Sequence, residues 1–318
     1  MKRTIDQVYT KIKPYLKVTP LKKSEALSNE LHQQLYFKME NEQITGSFKL
    51  RGVLSKFSEL KERGVAIDQV VAASTGNHAL AVCHAAKAFQ SQPIIFVPES
   101  ISESKFAQLI SQGVRLFKQG EQSGETEQLA IRYAKEHNIP LIHPYNDPEV
   151  IAGQGTIGLE LIQHLHHMDT VFVPVGGGGL ISGIGSYIKD SNPKIRIVGV
   201  QPKNACEMAD SIDQGRIVEA SRLSTISDGT AGGLDPDTIT YQYCKQLVDQ
   251  FIRVEEGEIL AALKLMQRYL KVQVEPAAGL ALAGILQSKA SMAGSTSVAI
   301  VCGGNIDVNR YQALMKDV

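Results

Sequence analysis

The 318-residue chain has no surplus of either charge: lysine plus arginine and aspartate plus glutamate stand at 33 each. Without a basic excess there is no electrostatic footprint for nucleic acid and no polybasic case for a membrane surface. Long apolar runs are missing too. No stretch approaches the roughly 18 apolar residues needed to cross a bilayer. The N-terminus, "MKRTIDQVYTKIKPYLKV", has early basic residues but no apolar run behind them, which excludes a secretory signal. Cysteine is scarce: Cys83, Cys206, Cys244 and Cys302 lie far apart, with no CxxC pair. That argues against a zinc ribbon or a disulfide scaffold, and it fits a reducing, cytoplasmic setting. Repeats, low-complexity tracts and long linkers are also absent. What is left is an ordinary globular composition, 43% hydrophobic and 21% charged, whose expected partner is a small molecule or another copy of itself.

Short β-branched runs alternate with longer helical ones. Strands are expected at "QVVAAS" (69–74), "PIIFVP" (93–98), "VRLFK" (114–118), "TVFVPV" (170–175), "IRIVGV" (195–200), "QFIRV" (250–254) and "SVAIVC" (297–302). Several are nearly continuous apolar runs, as in strands buried on both faces of a parallel sheet. Helices are expected at 78–89, 103–113, 125–137 and 258–271. The alternation predicts an α/β architecture of open, parallel-rich sheets with helices on both faces. The turn-rich stretch "PYNDPEVIAGQGT" (144–156) reads as the crossing between two lobes. The expected division is a large lobe of residues 1–52 and 147–318 and a small lobe of 53–146.

In such sheets ligands bind beyond the carboxyl ends of the strands. The most informative stretch there is "VGGGGLISG", Val175 to Gly183. Gly176, Gly177, Gly178 and Gly179 follow a strand and precede a helix. Successive N–H groups can then point into one concavity, with a helix dipole behind them. The bland alternative is close strand–helix packing. Nucleotide readings fail on spacing: G-x-G-x-x-G meets Ile181 or Ser182 where glycine is needed, and Ile184 stands where a Walker lysine should be. The nest suits a compact, lone phosphate. A second stretch, "STGNH", offers Ser74, Thr75, Asn77 and His78 between a strand and a helix. It can grip an anion such as a carboxylate, or merely cap the helix. A third, "VCGGN", puts Cys302 at a strand end, either as a weak partner for a ring nitrogen or as an inert buried thiol. The fourth is "TGSFKLRG", where Lys49 follows the aromatic Phe48. Together these are the parts of a pyridoxal phosphate site.

The ordered set "SFKLRG", "STGNH", "IAGQGTIGLE", "VGGGGLISG", "VEPAAG" and "CGGN" resembles the fold-type II pyridoxal phosphate enzymes, tryptophan synthase β-like in fold. It is most similar to their serine/threonine dehydratase and serine racemase branch. The resemblance implies Lys49 as the Schiff-base lysine, with Phe48 against the cofactor ring. Asn77 would bond the cofactor's 3′-oxygen, and Gly176 to Gly179 would hold its phosphate. Cys302 would take the place at the pyridine nitrogen. Ser74, Thr75 and His78 would flank the substrate carboxylate. Glu275, in "VEPAAG", would lie near the site without an assigned role. A homodimer is implied as well.

An uncharged thiol at the ring nitrogen favours prompt loss of a β-substituent over transamination. The expected reaction is β-elimination from a hydroxyamino acid. Lys49 removes the α-proton and the β-hydroxyl leaves. Hydrolysis then gives a 2-oxo acid and ammonia: 2-oxobutanoate from L-threonine, pyruvate from L-serine. Serine racemisation is the nearest rival. It needs an acid/base on the opposite face, and Thr75 stands where similar racemases have serine. Dehydration of 3-hydroxyaspartate would call for a further basic residue. A non-catalytic binding protein is disfavoured by the intact Lys49. Relatives in biosynthesis carry a C-terminal regulatory domain, and none is expected after "CGGN". A divalent cation is possible at "GVQPKNACE" (199–207), but Gln201 replaces the expected acid, leaving Glu207 and the Ala205 carbonyl as a weak set. "HLHHMD" (164–169) reads as a surface helix rather than a metal site. No metal ligand is assigned.

Overall fold

The computed structural model describes residues 1–219 and 223–316. Among these described residues, nine strands form two sheets: β1 Leu21–Lys23, β2 Gln34–Lys38, β3 Gln69–Ala73, β4 Gln92–Val97, β5 Arg115–Lys118, β6 Thr170–Pro174, β7 Arg196–Pro202, β8 Gln250–Val254 and β9 Thr296–Ile300. The larger sheet has the order β1-β2-β9-β6-β7-β8, and the smaller β3-β4-β5. Every pairing is parallel except β1 with β2. All seven expected strands form. Central β6 and β9 are buried along their whole length, as their unbroken apolar runs require. The two strands not expected, β1 and β2, lie at one edge. β1 is only 3 residues long, and β2 is a short run flanked by polar residues.

Most of the turn-rich stretch 144–156 is helical. A 17-residue helix, Pro148–His164, begins within it. Asp147 caps that helix, accepting from the N–H groups of Glu149 and Val150 at 2.9 and 3.0 Å, and Pro148 takes the first turn. The glycines that read as turn residues serve close packing instead. A Cβ on Gly153 would collide with the Arg51 carbonyl oxygen, and one on Gly155 would lie 3.0 Å from that of Gly183. Three helices, Lys49–Glu62, Pro148–His164 and Gly179–Ser191, can therefore approach one another almost backbone to backbone. The histidine-rich stretch 164–169 is also not helical as expected. The helix ends at His164, and His166 and His167 follow in irregular chain at the surface.

Beneath the helix Lys49–Glu62 lies a buried charge network. Arg51 bonds Glu40 at 2.8 and 2.9 Å and Glu160 at 2.8 and 2.9 Å. Lys38 pairs with the same Glu160 and donates to the Thr19 carbonyl at 2.7 Å. All four charged side chains are out of water. Two cations balance two anions, so none is buried unpaired.

Candidate active site

The ends of four strands and the starts of four helices meet at a cavity of about 990 Å³. Phe48, Lys49, Ser74, Thr75, Asn77, His78, Gly176 to Gly179, Glu275 and Cys302 all line it, so the structure brings the residues named for the pyridoxal phosphate site to one place. The Lys49 loop and the Cys302 strand end are zipped together. Phe48 N–H donates to the Cys302 carbonyl at 3.0 Å, Gly304 N–H to that of Gly46 at 2.9 Å, and Ser47 bridges Gly303.

Lys49 opens its helix, with Nζ 5.2 Å from the Phe48 ring centroid. Nζ donates to the Pro144 carbonyl at 2.8 Å. Burial disfavours its charge, while the carboxylates of Glu127 and Glu275 partly restore it, and the pKa falls to about 8. A usable fraction of free amine is therefore present near neutrality. Burial likewise pushes the Cys302 thiol well above its ordinary range, with the Glu275 charge adding to the shift, so it stays S–H. Burial raises Glu275 to about 7. His78 donates Nε2–H to the Ile142 carbonyl at 2.8 Å, and burial, helped by the Lys49 charge, lowers its pKa to about 3. It is a neutral side chain tying the start of the helix Asn77–Phe89 to residue 142, not a positive charge for a carboxylate.

The glycine loop fits a phosphate. Gly178 has φ +84, and the first N–H groups of the helix Gly179–Ser191 have no partners within that helix. A Cβ at Gly177 would lie 2.5 Å from the Tyr145 ring, and one at Gly179 3.0 Å from Tyr145 Cβ. Bare backbone is thus required there. Together with the free-amine tendency of Lys49, the residues present suit pyridoxal phosphate. Gly177→Ala is accordingly expected to weaken pyridoxal phosphate binding about tenfold through overpacking against Tyr145. Titrating cofactor-free protein and watching the visible band measures this. Tyr145→Ala in the same chain should recover part of the loss.

Sequence reasoning missed Tyr145 and a cluster beside it. His143 Nε2 lies 3.1 Å from both Glu127 and Asp235. Asp235 N–H donates to the Tyr145 hydroxyl at 2.9 Å, and Asn146 Nδ2 donates to Asp235 at 3.1 Å. The only sequence hint was the density of turn residues around "HPYNDP" and "GLDPD". The cluster has the ligand types of a metal site. Its hydrogen bonds argue otherwise. His143 Nδ1 accepts from the N–H groups of Tyr145 at 3.2 Å and Asn146 at 2.8 Å. Burial lowers the ring's pKa, and Asp235 and Glu127 raise it to about 9 on balance, but the N–H groups of Tyr145 and Asn146 already occupy Nδ1 and leave no place there for a second proton. The proton then sits on Nε2, 3.1 Å from each carboxylate, so the ring turns no lone pair to them for a cation. At the stretch weighed earlier for a cation, Gln201 is buried and accepts from Ala209 N–H at 2.8 Å.

Residues 12–303 match the family of pyridoxal-phosphate dependent enzymes, and the chain belongs to it. The fold is that of the fold-type II members. Within the family, the chain is 39% identical to the catabolic L-threonine dehydratase TdcB of Staphylococcus aureus, over 98% of this chain and 91% of that one. Among solved structures it is similar to the threonine deaminase of T.th., with TM-score 0.88 and 33% identity over 96% and 98% of the two chains. It is equally similar to maize serine racemase, with TM-score 0.91 and 35% identity over 99% and 97%. Among the described residues, no helix is long and apolar enough to cross a membrane.

Proposed function

We propose that this enzyme eliminates the β-hydroxyl of a hydroxyamino acid, converting L-threonine or L-serine to a 2-oxo acid and ammonia. The observation that carries the reading is the buried, protonated Cys302 thiol in the same cavity as Lys49. When bound, pyridoxal phosphate supplies an aldehyde for the amino group and a ring that stabilises negative charge at Cα. Lys49 holds the cofactor and then takes the α-proton. Cys302 would meet the ring nitrogen without a charge, a partner that limits delocalisation into the ring and would favour departure of the hydroxyl. Gly176 to Gly179 would present N–H groups to the phosphate, Phe48 would pack on the ring, and Asn77 would donate to the 3′-oxygen. Ser74 and Thr75 receive the substrate carboxylate, and His78 ties the start of the helix behind them to residue 142. Residues 1–52 with 147–318 form the cofactor lobe, and 53–146 its smaller partner. The enzyme acts as a cytoplasmic homodimer in this reading.

Thr75 also supports a second reading. Its side chain borders the cavity, and serine racemase is among the similar structures. Lys105 and Arg310 line the mouth and could meet a second carboxylate, but both are held by Asp228, at 3.6 and 2.8 Å. The deciding experiment supplies purified protein and pyridoxal phosphate with L-threonine, L-serine or 3-hydroxyaspartate. It follows 2-oxo acid release and D-serine. Oxo acid from threonine or serine is expected to dominate. D-serine formed faster than pyruvate would make the chain a racemase. Oxo acid from 3-hydroxyaspartate alone would move the substrate to a dicarboxylate.

A further inference from the structure

Asn305 of "CGGN" and Glu275 of "VEPAAG" have no part in the reaction above, yet both hold Asn77. Asn77 Nδ2 donates to the two carboxylate oxygens of Glu275, at 2.9 Å each. Its Oδ1 accepts from Asn305 Nδ2 at 2.7 Å. The same Asn305 Nδ2 donates to the Thr45 carbonyl at 2.8 Å. The direction of each amide follows from its neighbours. A carbonyl can only accept, so Asn305 must turn its N–H end to Thr45. Asn305 then presents only N–H to Asn77, so Asn77 must answer with its oxygen and turn its N–H end to Glu275. Reversing Asn77 would set N–H against N–H at the Asn305 end. The oxygens of one carboxylate lie too close together to engage both N–H groups of Nδ2 well. One N–H therefore remains for the cavity that Asn77 lines.

The packing supports the arrangement. A Cβ on Gly303 would collide with Glu275 Oε1, and one on Gly46, at φ +73, would collide with Asn305 Oδ1. Both partners of Asn77 are thus seated against glycine. Glu275 is also the N-cap residue of the helix Pro276–Ser288, so its backbone is fixed.

We propose that Glu275 and Asn305 are positioning residues that lock the Asn77 carboxamide, so that Asn77 meets the 3′-oxygen of pyridoxal phosphate as a donor and never as an acceptor. The proposal rests on the reading of Asn77 as a cofactor contact. A reversed amide would place its own oxygen against an electron-rich oxygen.

The test titrates cofactor-free protein with pyridoxal phosphate and reads affinity and the position of the visible band. Asn77→Ala is expected to weaken affinity about tenfold, the worth of one charge-assisted hydrogen bond. Asn305→Asp keeps shape but cannot donate to Asn77 Oδ1. It should also lose about tenfold and move the band. Glu275→Gln keeps an acceptor and should stay within about twofold, whereas Glu275→Leu should lose as much as Asn305→Asp. The double variant Asn77→Ala/Asn305→Asp decides between a lock and a general structural effect. If Asn305 acts through Asn77, the double variant is no worse than Asn77→Ala alone. Additive losses, or an Asn305→Asp protein that binds like the parent, overturn the lock while leaving the cofactor contact standing. An Asn77→Ala protein that binds like the parent overturns the contact and the lock together. Glu275→Leu at parental affinity removes Glu275 from the device.

Discussion

Lys49→Ala should lower 2-oxo acid release from L-threonine by at least about 10³-fold, within the range lost with a catalytic acid or base. It should also abolish the visible band on mixing with pyridoxal phosphate. No neighbour can take over: Lys105 and Arg310 line the same cavity but are paired with Asp228. The lowered pKa of Lys49 gives the expectation a pH signature. Only the free amine attacks an aldehyde, so the rate at which cofactor-free protein takes up pyridoxal phosphate should climb as pH rises through about 8 and then level. A stopped-flow series checks this. A profile flat through that pH would mean that Lys49 is already neutral or is not the reacting group.

The largest loss of stability is expected from Arg51→Ala, at about 3–5 kcal/mol, because breaking a buried ion network strands its remaining charges. Glu40 and Glu160 would be left with Lys38 as the remaining cation of the network. Urea unfolding measures the loss, and a change below about 1 kcal/mol would mean that water replaces the guanidinium. The sign with pH is fixed. Burial alone would raise the Glu160 pKa, but Arg51 and Lys38 hold it below its ordinary value. Its contribution is full above the unfolded pKa and is lost as pH falls through the folded one. Without Arg51, acid unfolding should begin at higher pH.

Much of this was legible in the sequence, for physical reasons that differ from residue to residue. Buried parallel strands announce themselves as apolar runs, which is why β6 and β9 were readable while β2, flanked by polar residues, was not. The glycine loop could be placed because its position between strand and helix is itself the mechanism. The helix Pro148–His164 was partly hidden because glycine has two uses. Turn chemistry and close helix packing look alike in one dimension, and only the Arg51 and Gly183 carbonyls beside Gly153 and Gly155 tell them apart. His143 and Asp235 lie far apart in the chain, and neither stands in a recognisable motif. Their partnership depends on which ring nitrogen is already bonded to backbone, a fact that exists only in three dimensions. Asn77 was visible as a polar turn residue, whereas the direction of its amide was not.

The core under the small sheet is built from distant parts of the chain. Val70, Ile95 and Val97 pack in one cluster with Ile12 and Leu16 from the N-terminus and with Leu50, Val53 and Leu54 from the Lys49 helix. Leu141 bridges back to Val71 in the sheet. The consequence concerns how the protein comes to be folded. The small sheet cannot complete its core until the earliest helices have docked on it, and those helices also pack against Pro148–His164. Its contacts are long in sequence separation, which makes them slow to form and hard to lose singly. A cut after residue 52 would therefore divide a hydrophobic core instead of freeing a module.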